Sequence, residues 1–224
     1  MMRSVLREIL PLALVVTISP INIVPAILLL FTRRPLLSAS LFFAGFVGGV
    51  AVVLALFVAF AGALDVASGS GRASWTGWVK IALGCYLLAA AARRFRGRPR
   101  SPSDASMPRW MDGIASYSPG RSAATGVALG SLNPKNVVVG LAAAVIISSA
   151  ALTAGEQVAA GAVYVAVAVV GVAAPIAVMM AMGERAADVL GRWRSWLTRN
   201  SAAVMSALFA IFGVVLIGQG IASS

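Results

Sequence analysis

Six long apolar segments constrain the fold of this chain more than any other feature of its sequence. Residues 37–63, for example, contain no charged residue. A helix needs about 20 mostly apolar residues to cross the hydrocarbon core of a bilayer. The chain has 224 residues, of which 60% are hydrophobic and 11% charged, so it has no room for a separate soluble domain. We therefore predict an all-α polytopic membrane protein with one transmembrane domain, residues 1–224. The predicted spans are residues 9–31, 37–63, 75–92, 123–151, 158–182 and 202–220.

A polar interruption lies near the middle of the fourth apolar segment. It reads Ser131-Leu132-Asn133-Pro134-Lys135-Asn136. Proline lacks a backbone donor, and a lysine at bilayer depth is tolerated only where protein or water lines a cavity. We therefore expect Lys135 to belong to a functional site.

The first apolar segment repeats part of this pattern. Ser19-Pro20-Ile21-Asn22 aligns with Asn133-Pro134-Lys135-Asn136, with both prolines and both Asn residues at one constant offset. Two interrupted hydrophobic segments in corresponding places are typical of transporters built from repeated halves. We predict two three-helix repeats, residues 1–92 and 122–224, with helices 1 and 4 broken. Because each half has an odd number of spans, the second half enters the membrane in the opposite sense, which makes the repeats inverted.

The two interruptions together form the candidate site. A proline frees the carbonyl four residues earlier, and the neighbouring hydroxyl and amide groups can bind that carbonyl or a ligand. All carboxylates, including Glu8, are assigned to termini and loops, so Lys135 is expected to be the only charge deep in a span. Its partner is water, a backbone carbonyl or an anionic substrate, unless the amine is neutral or snorkels towards the headgroups; we favour the substrate. The predicted substrate-binding residues are Ser19, Pro20, Asn22, Asn133, Pro134, Lys135 and Asn136.

Most of the net charge of +11 comes from arginine between the apolar segments. The connections after predicted spans one, three and five are rich in arginine, whereas those after two and four contain only Arg72. The positive-inside rule places the first set in the cytoplasm and both termini outside, in the plasma (inner) membrane. Arg3 and Arg7 count against this orientation. The arginines are not interleaved with aromatic residues on an amphipathic face, so we do not expect nucleic-acid binding.

The connection between the two halves, residues 93–121, is the longest polar stretch. Arginine clustered beside a membrane helix attracts anionic lipid headgroups, and we expect this cytoplasmic loop to contact them. Its basic residues are Arg93, Arg94, Arg96, Arg98, Arg100, Arg109 and Arg121.

Several local patterns predict structure and not chemistry. The pairs Gly45/Gly49 and Gly126/Gly130 have the four-residue spacing that lets helices pack closely. Trp75 and Trp78 are expected to be interfacial anchors, with Lys80 snorkelling beside them. A kink is expected at Pro175. Residues 65–71 are expected to form a loop, and residues 184–199 a short interfacial helix.

The remaining composition limits the chemistry. The chain has no His and a single Cys, Cys85, so a His/Cys metal site and an intramolecular disulfide are not available. Paired acids and a nucleophile beside a base are also missing from the predicted spans, so we expect neither an enzyme nor a cofactor. Without a nucleotide-binding motif, the energy must come from an ion gradient, the substrate gradient or a partner protein.

With these motifs in view, the chain resembles the lysine exporter superfamily, and within it the glycolipid-addressing (sulfolipid-addressing) proteins of mycobacteria. The resemblance implies export of a cell-envelope glycolipid from the cytoplasmic side. Relatives that move reducing equivalents use paired intramembrane cysteines, and metal exporters use intramembrane carboxylates; both are missing here.

We therefore predict a transporter that translocates a glycolipid, or another anionic or polar-headed solute, by alternating access around a midplane site. The alternative is a non-conducting accessory protein of an envelope-lipid synthase or a larger exporter. A homodimer is compatible with either function.

Overall fold

The computed structural model describes residues 1–68, 74–97, 111 and 113–223. Within these ranges every regular element is helical, which agrees with the predicted all-α class. The α-helices are α1 (Met2–Thr17), α2 (Pro20–Leu29), α3 (Pro35–Ser68), α4 (Ser74–Arg96), α5 (Pro119–Ser131), α6 (Pro134–Ser149), α7 (Ala154–Ala168), α8 (Val170–Met182) and α9 (Ala186–Ser223). Short 3₁₀ turns occupy Ile114–Ser116 and Gly183–Arg185.

Both predicted helix interruptions are present. α1 and α2 meet at a bend of 49°, and α5 and α6 at a bend of 53°. Pro20 and Pro134 are the first residues of α2 and α6, where a missing N–H costs no hydrogen bond and the fixed φ favours the helix. Each proline therefore begins a new half-helix, and does not lie within a continuous one.

The fifth predicted span is also divided. The break lies at Val169, between α7 and α8, whereas Pro175 lies inside α8. The ring of a helical proline crowds the carbonyl four residues earlier, here that of Gly171. Gly171 in turn packs directly on the Thr17 carbonyl. The interruption at Val169 lies two residues before Gly171.

Three predicted connections are partly helical. Residues 65–68 extend α3, and Arg93, Arg94 and Arg96 form the last turn of α4. Residues 69–71, 98–110 and 112 of those predicted loops lie outside the described part of the chain, and residues 119–121 belong to α5. The predicted interfacial helix is continuous with the last span in α9, because no Gly or Pro occurs between residues 192 and 212 to end a helix.

By length and composition, two helical stretches of the described chain can each cross a bilayer, Pro35–Gly62 and part of Val170–Ala222. Each of the two bent pairs, α1 with α2 and α5 with α6, also qualifies when taken as one span. These apolar helices identify a membrane protein. Crossing by α4, and separate crossings by the α7–α8 segment and α9, stay predictions.

The helices pack in interlocked groups. α3 packs against α5 and α6, α1 against α7 and α6, and α2 against α8. The predicted close approach of the two glycine pairs is confirmed, because they pack on each other's helices. A Cβ at Gly49 would lie 2.7 Å from the Val127 carbonyl oxygen, and one at Gly130 would lie 2.6 Å from that of Phe46. Backbone therefore meets backbone between α3 and α5, as small residues permit in membrane bundles.

α4 and α9 form a second close pair. A Cβ at Gly84 would lie 2.7 Å from the Gly213 carbonyl oxygen, and one at Gly213 would lie 2.9 Å from that of Gly84. Further along, a Cβ at Gly220 would lie 2.8 Å from the Gly77 carbonyl oxygen. The two helices are therefore antiparallel, with the start of α4 beside the end of α9.

Candidate functional site

The two helix breaks meet through their Asn side chains. Asn133 Nδ2 donates to Asn22 Oδ1 across 3.3 Å, which joins residues 111 positions apart. Asn133 is also the N-cap of α6, and its Oδ1 accepts a hydrogen bond from the Lys135 backbone N–H at 3.2 Å. One side chain therefore begins α6 and binds the start of α2.

Lys135 binds the C-terminal end of α1. The last four carbonyls of a helix lack partners within it. Lys135 Nζ donates to the Val15 carbonyl at 2.8 Å, and Asn22 Nδ2 reaches the Val16 carbonyl at 3.4 Å. Thr17 Oγ1 donates to the Val167 carbonyl at 2.5 Å. A cation at this position also interacts favourably with the negative end of the helix dipole.

The end of α5 has a similar arrangement. Ser131 Oγ donates to the Val127 carbonyl at 2.7 Å, and Asn136 Nδ2 donates to the Leu129 carbonyl at 2.8 Å. Two atoms at the breaks, Ser19 Oγ and Asn136 Oδ1, are buried without a hydrogen-bond partner. Most buried polar groups in proteins are hydrogen-bonded, so these two atoms retain the capacity to bind water or a ligand.

A cavity of about 220 Å³ lies beside the breaks. Three predicted site residues line it, namely Pro20, Asn133 and Lys135. Ser19, Asn22 and Asn136 are buried without being among its lining residues, and Pro134 is exposed outside it. The complete lining is Pro20, Ile21, Val24, Arg94, Met111, Asn133, Lys135, Thr198, Ser201 and Met205.

Sequence reasoning missed Arg94, Thr198 and Ser201 in this cavity. It assigned Arg94 to a lipid-binding loop, whereas α4 continues to Arg96 and places Arg94 beside the cavity. The continuous helix α9 contributes the two hydroxyls of Thr198 and Ser201. The cavity thus combines a lysine amine, an arginine guanidinium, an amide and two hydroxyls with apolar side chains. Such a lining suits an anionic head carried on an apolar body.

Comparison with known proteins decides the family. The family model described as Sap, sulfolipid-1-addressing protein, matches residues 9–222, nearly the whole chain. The chain belongs to this family. No curated protein and no solved structure matches it.

Membership in the sulfolipid-1-addressing family confirms the predicted resemblance to glycolipid-addressing proteins, and implies a role for this membrane protein in sulfolipid or glycolipid addressing. The matched range includes both helix breaks and every residue that lines the cavity. Membership in the wider lysine exporter superfamily stays a prediction.

In this member of the family, a second buried lysine corrects two predictions. Glu8 was assigned to the terminus and Lys80 was expected to snorkel. Instead Glu8 lies within α1, and Lys80 is buried with its Nζ 3.5 Å from Glu8 Oε2. The reason is that α1 begins at Met2, which brings the Glu8 carboxylate against α4. A carboxylate partner offsets part of the cost of burying a charged lysine.

Proposed function

We propose that this protein transports an envelope glycolipid with an anionic headgroup across the inner membrane by alternating access. The observation that carries the proposal is that Lys135 and Arg94 line the same cavity of about 220 Å³, at the junction of the two broken helices. Among the described residues of its lining, none carries a carboxylate. Two cations without an acidic partner in the cavity favour an anion there.

The hydrogen-bonding groups of the cavity fit a sulfate or phosphate head. A lysine ammonium has three donors, and Lys135 gives one of them to Val15. The Arg94 guanidinium presents planar pairs of N–H donors, which match such oxyanions. Ser201, Thr198 and Asn133 add neutral polar groups that can bind a sugar. Sulfolipid is named in the family's description, and an anionic sulfated glycolipid meets all of these requirements.

The packing supports a six-span arrangement of two inverted repeats. The first repeat would contain α1 to α4 and the second α5 to α9, with the bent pairs in corresponding positions. α3 packs on α5 and α6, and the corresponding helices α7 and α8 pack on α1 and α2. The last helices of the two repeats, α4 and α9, pack on each other. Each half thus packs its second span against the broken helix of the other half. This reciprocal packing is expected of halves related by a two-fold axis in the membrane plane.

The charge pattern gives the direction in which the cavity opens. Arg94 is exposed at the arginine-rich end of α4, which the positive-inside rule assigns to the cytoplasm. The cavity therefore receives its lipid from the cytoplasmic leaflet, and both termini lie outside. The exposed arginines at this side attract anionic lipid headgroups and enrich them near the entrance.

The direct test is transbilayer movement of a fluorescent sulfated glycolipid and of its desulfated form, in liposomes containing the purified protein. The wild type is expected to move the sulfated form faster. A hydrogen bond to a charged group contributes about 1.5–3 kcal/mol, so Lys135→Met and Arg94→Gln should each slow movement by about tenfold or more. Arg93→Gln, which removes the neighbouring exposed cation outside the cavity lining, should behave like wild type.

Two results would overturn the proposal in different ways. If wild type and Lys135→Met move the sulfated and the desulfated lipid at the same rate, the cavity does not bind the transported headgroup. Binding of the sulfated lipid without any movement would reject a transporter. It would favour the alternative of an accessory protein that presents lipid to a synthase or a larger exporter.

A further inference from the structure

The Glu8–Lys80 ion pair lies at the opposite end of α4 from the cavity. Lys80 and Arg94 are on the same helix, 14 positions apart, which is about 21 Å at 1.5 Å per residue. On α1, Glu8 lies nine positions before Thr17, where the helix ends at the break. The ion pair therefore lies towards the starts of α1 and α4, away from the cavity at the helix breaks.

α4 and α9 are in close backbone contact. Glycines bring their backbones into contact at Gly84 with Gly213 and at Gly220 with Gly77. These contacts leave no space for a side chain between the two helices, so we expect α4 and α9 to move together. Arg94 of α4 and Ser201 of α9 line the same cavity. The pair α4–α9 thus forms one wall of the cavity, and the broken helices form the opposite wall.

α1 has its main packing partners elsewhere, in α7 and α6. The ion pair thus joins two bodies, α4–α9 and the group that holds the first break. The Lys80 side chain is only 9% exposed, whereas the Glu8 side chain is 35% exposed. A buried lysine that loses its carboxylate must gain water or a new partner, so separating the two bodies at this end exposes Lys80.

We propose that the Glu8–Lys80 ion pair is the gate that closes this end of the transporter while the cavity is open at the other end. The inference rests on the proposed transport function and adds the moving element. When α4–α9 rocks against the broken helices, Arg94 approaches Lys135 and the cavity closes. Glu8 and Lys80 then separate, and the site opens at their end.

The test measures access to two single cysteines in a Cys85→Ser background, with the full chain in lipid nanodiscs and a soluble maleimide. Ser201→Cys reports the cavity. Leu12→Cys reports the gate, because it lies one turn deeper than Glu8 on the same face of α1 and is buried. With Glu8 and Lys80 intact, the cysteine at 201 should react fast and the one at 12 slowly.

Removing the ion pair should reverse this order. With Glu8→Gln or Lys80→Met, the cysteine at 12 should react at least about tenfold faster, and the one at 201 correspondingly more slowly, because the closed gate loses its stabilising interaction. The double charge exchange Glu8→Lys with Lys80→Glu should restore the original rates. Glu184→Gln, which removes an exposed carboxylate in a turn, is the matched control and should change neither rate.

The gate is overturned if both cysteines keep their original rates in the single variants, or if the charge exchange fails to restore them. Labelling needs no transported lipid, so this failure is distinct from failure of the proposed function. Unchanged labelling in a protein that moves sulfated lipid rejects the gate alone. If the labelling rates change as expected but the protein moves no lipid, the transport function is rejected and the movement between two states is supported.

Discussion

Lys135 Nζ lies 2.8 Å from the backbone carbonyl oxygen of Val15, a residue 120 positions earlier in the chain. This hydrogen bond joins the second helix break to the end of the helix before the first. The same side chain lines the cavity. Lys135 therefore has a structural partner within the protein, and its remaining N–H donors are available to an anion. The sequence left water, a backbone carbonyl and an anionic substrate as possible partners of Lys135. The structure contains the second of these, a backbone carbonyl of a broken helix.

The first prediction separates the structural role of Lys135 from its role in binding. Lys135→Met leaves the Val15 carbonyl without its donor in an apolar interior, which should cost about 1–3 kcal/mol of stability. Lys135→Arg keeps a donor and a charge, and should lose less. Thermal unfolding in detergent measures the difference. Ile21→Met, at the equivalent position of the first break, should unfold close to wild type. If Lys135→Met unfolds at the wild-type temperature, the hydrogen bond to Val15 is not stabilising.

The second prediction concerns the contact between the two breaks. Asn22→Ala and Asn133→Ala, singly and together, form a double-mutant cycle for the 3.3 Å amide hydrogen bond. Hydrogen bonds between membrane helices average about 0.6 kcal/mol in such cycles, so a coupling of this size is expected. Asn136 donates to the Leu129 carbonyl instead, so the cycle of Asn22 with Asn136 should show coupling near zero. Equal coupling in both cycles would contradict the observed pairing.

The sequence predicted the helix breaks and the close glycine contacts because both depend on local residue types. Proline in the first turn of a helix and Asn at its N-cap are local signals of a helix start, and small residues four apart form a flat face. The positions of Arg94 and Lys80 depend on where α4 ends and on which helices pack together. An arginine at the end of an apolar segment has the same local sequence whether it faces lipid headgroups or a cavity. Likewise Glu8 was assigned to a terminus, because nothing near it in sequence shows that α1 begins at Met2.

The third prediction tests the backbone contact between α3 and α5. A Cβ at Gly126 would collide with the Phe42 carbonyl oxygen, which is backbone and cannot turn away. Gly126→Ala should therefore destabilise the protein by about 1–3 kcal/mol, as overpacking does in other cores. Gly48→Ala is the matched control on α3, because a Cβ there meets nothing within 4 Å. Thermal unfolding of the two variants should differ clearly, and similar unfolding temperatures would mean that α5 moves away from α3 at little cost.

The fourth prediction concerns the space in the cavity. Ser201 is half-buried on α9 and faces a volume of about 220 Å³ that is free of protein atoms. Ser201→Leu would fill part of this volume without displacing packed side chains, so stability should change little. Binding of the sulfated glycolipid should weaken by about tenfold, because its head no longer fits beside Lys135 and Arg94.

Ser201→Ala keeps the space and should bind within about threefold of wild type, since it removes one neutral hydrogen bond. Ser195→Leu adds the same side chain to the exposed face of α9 and serves as the control. Equal binding by Ser201→Leu and Ser195→Leu would show that the headgroup lies elsewhere.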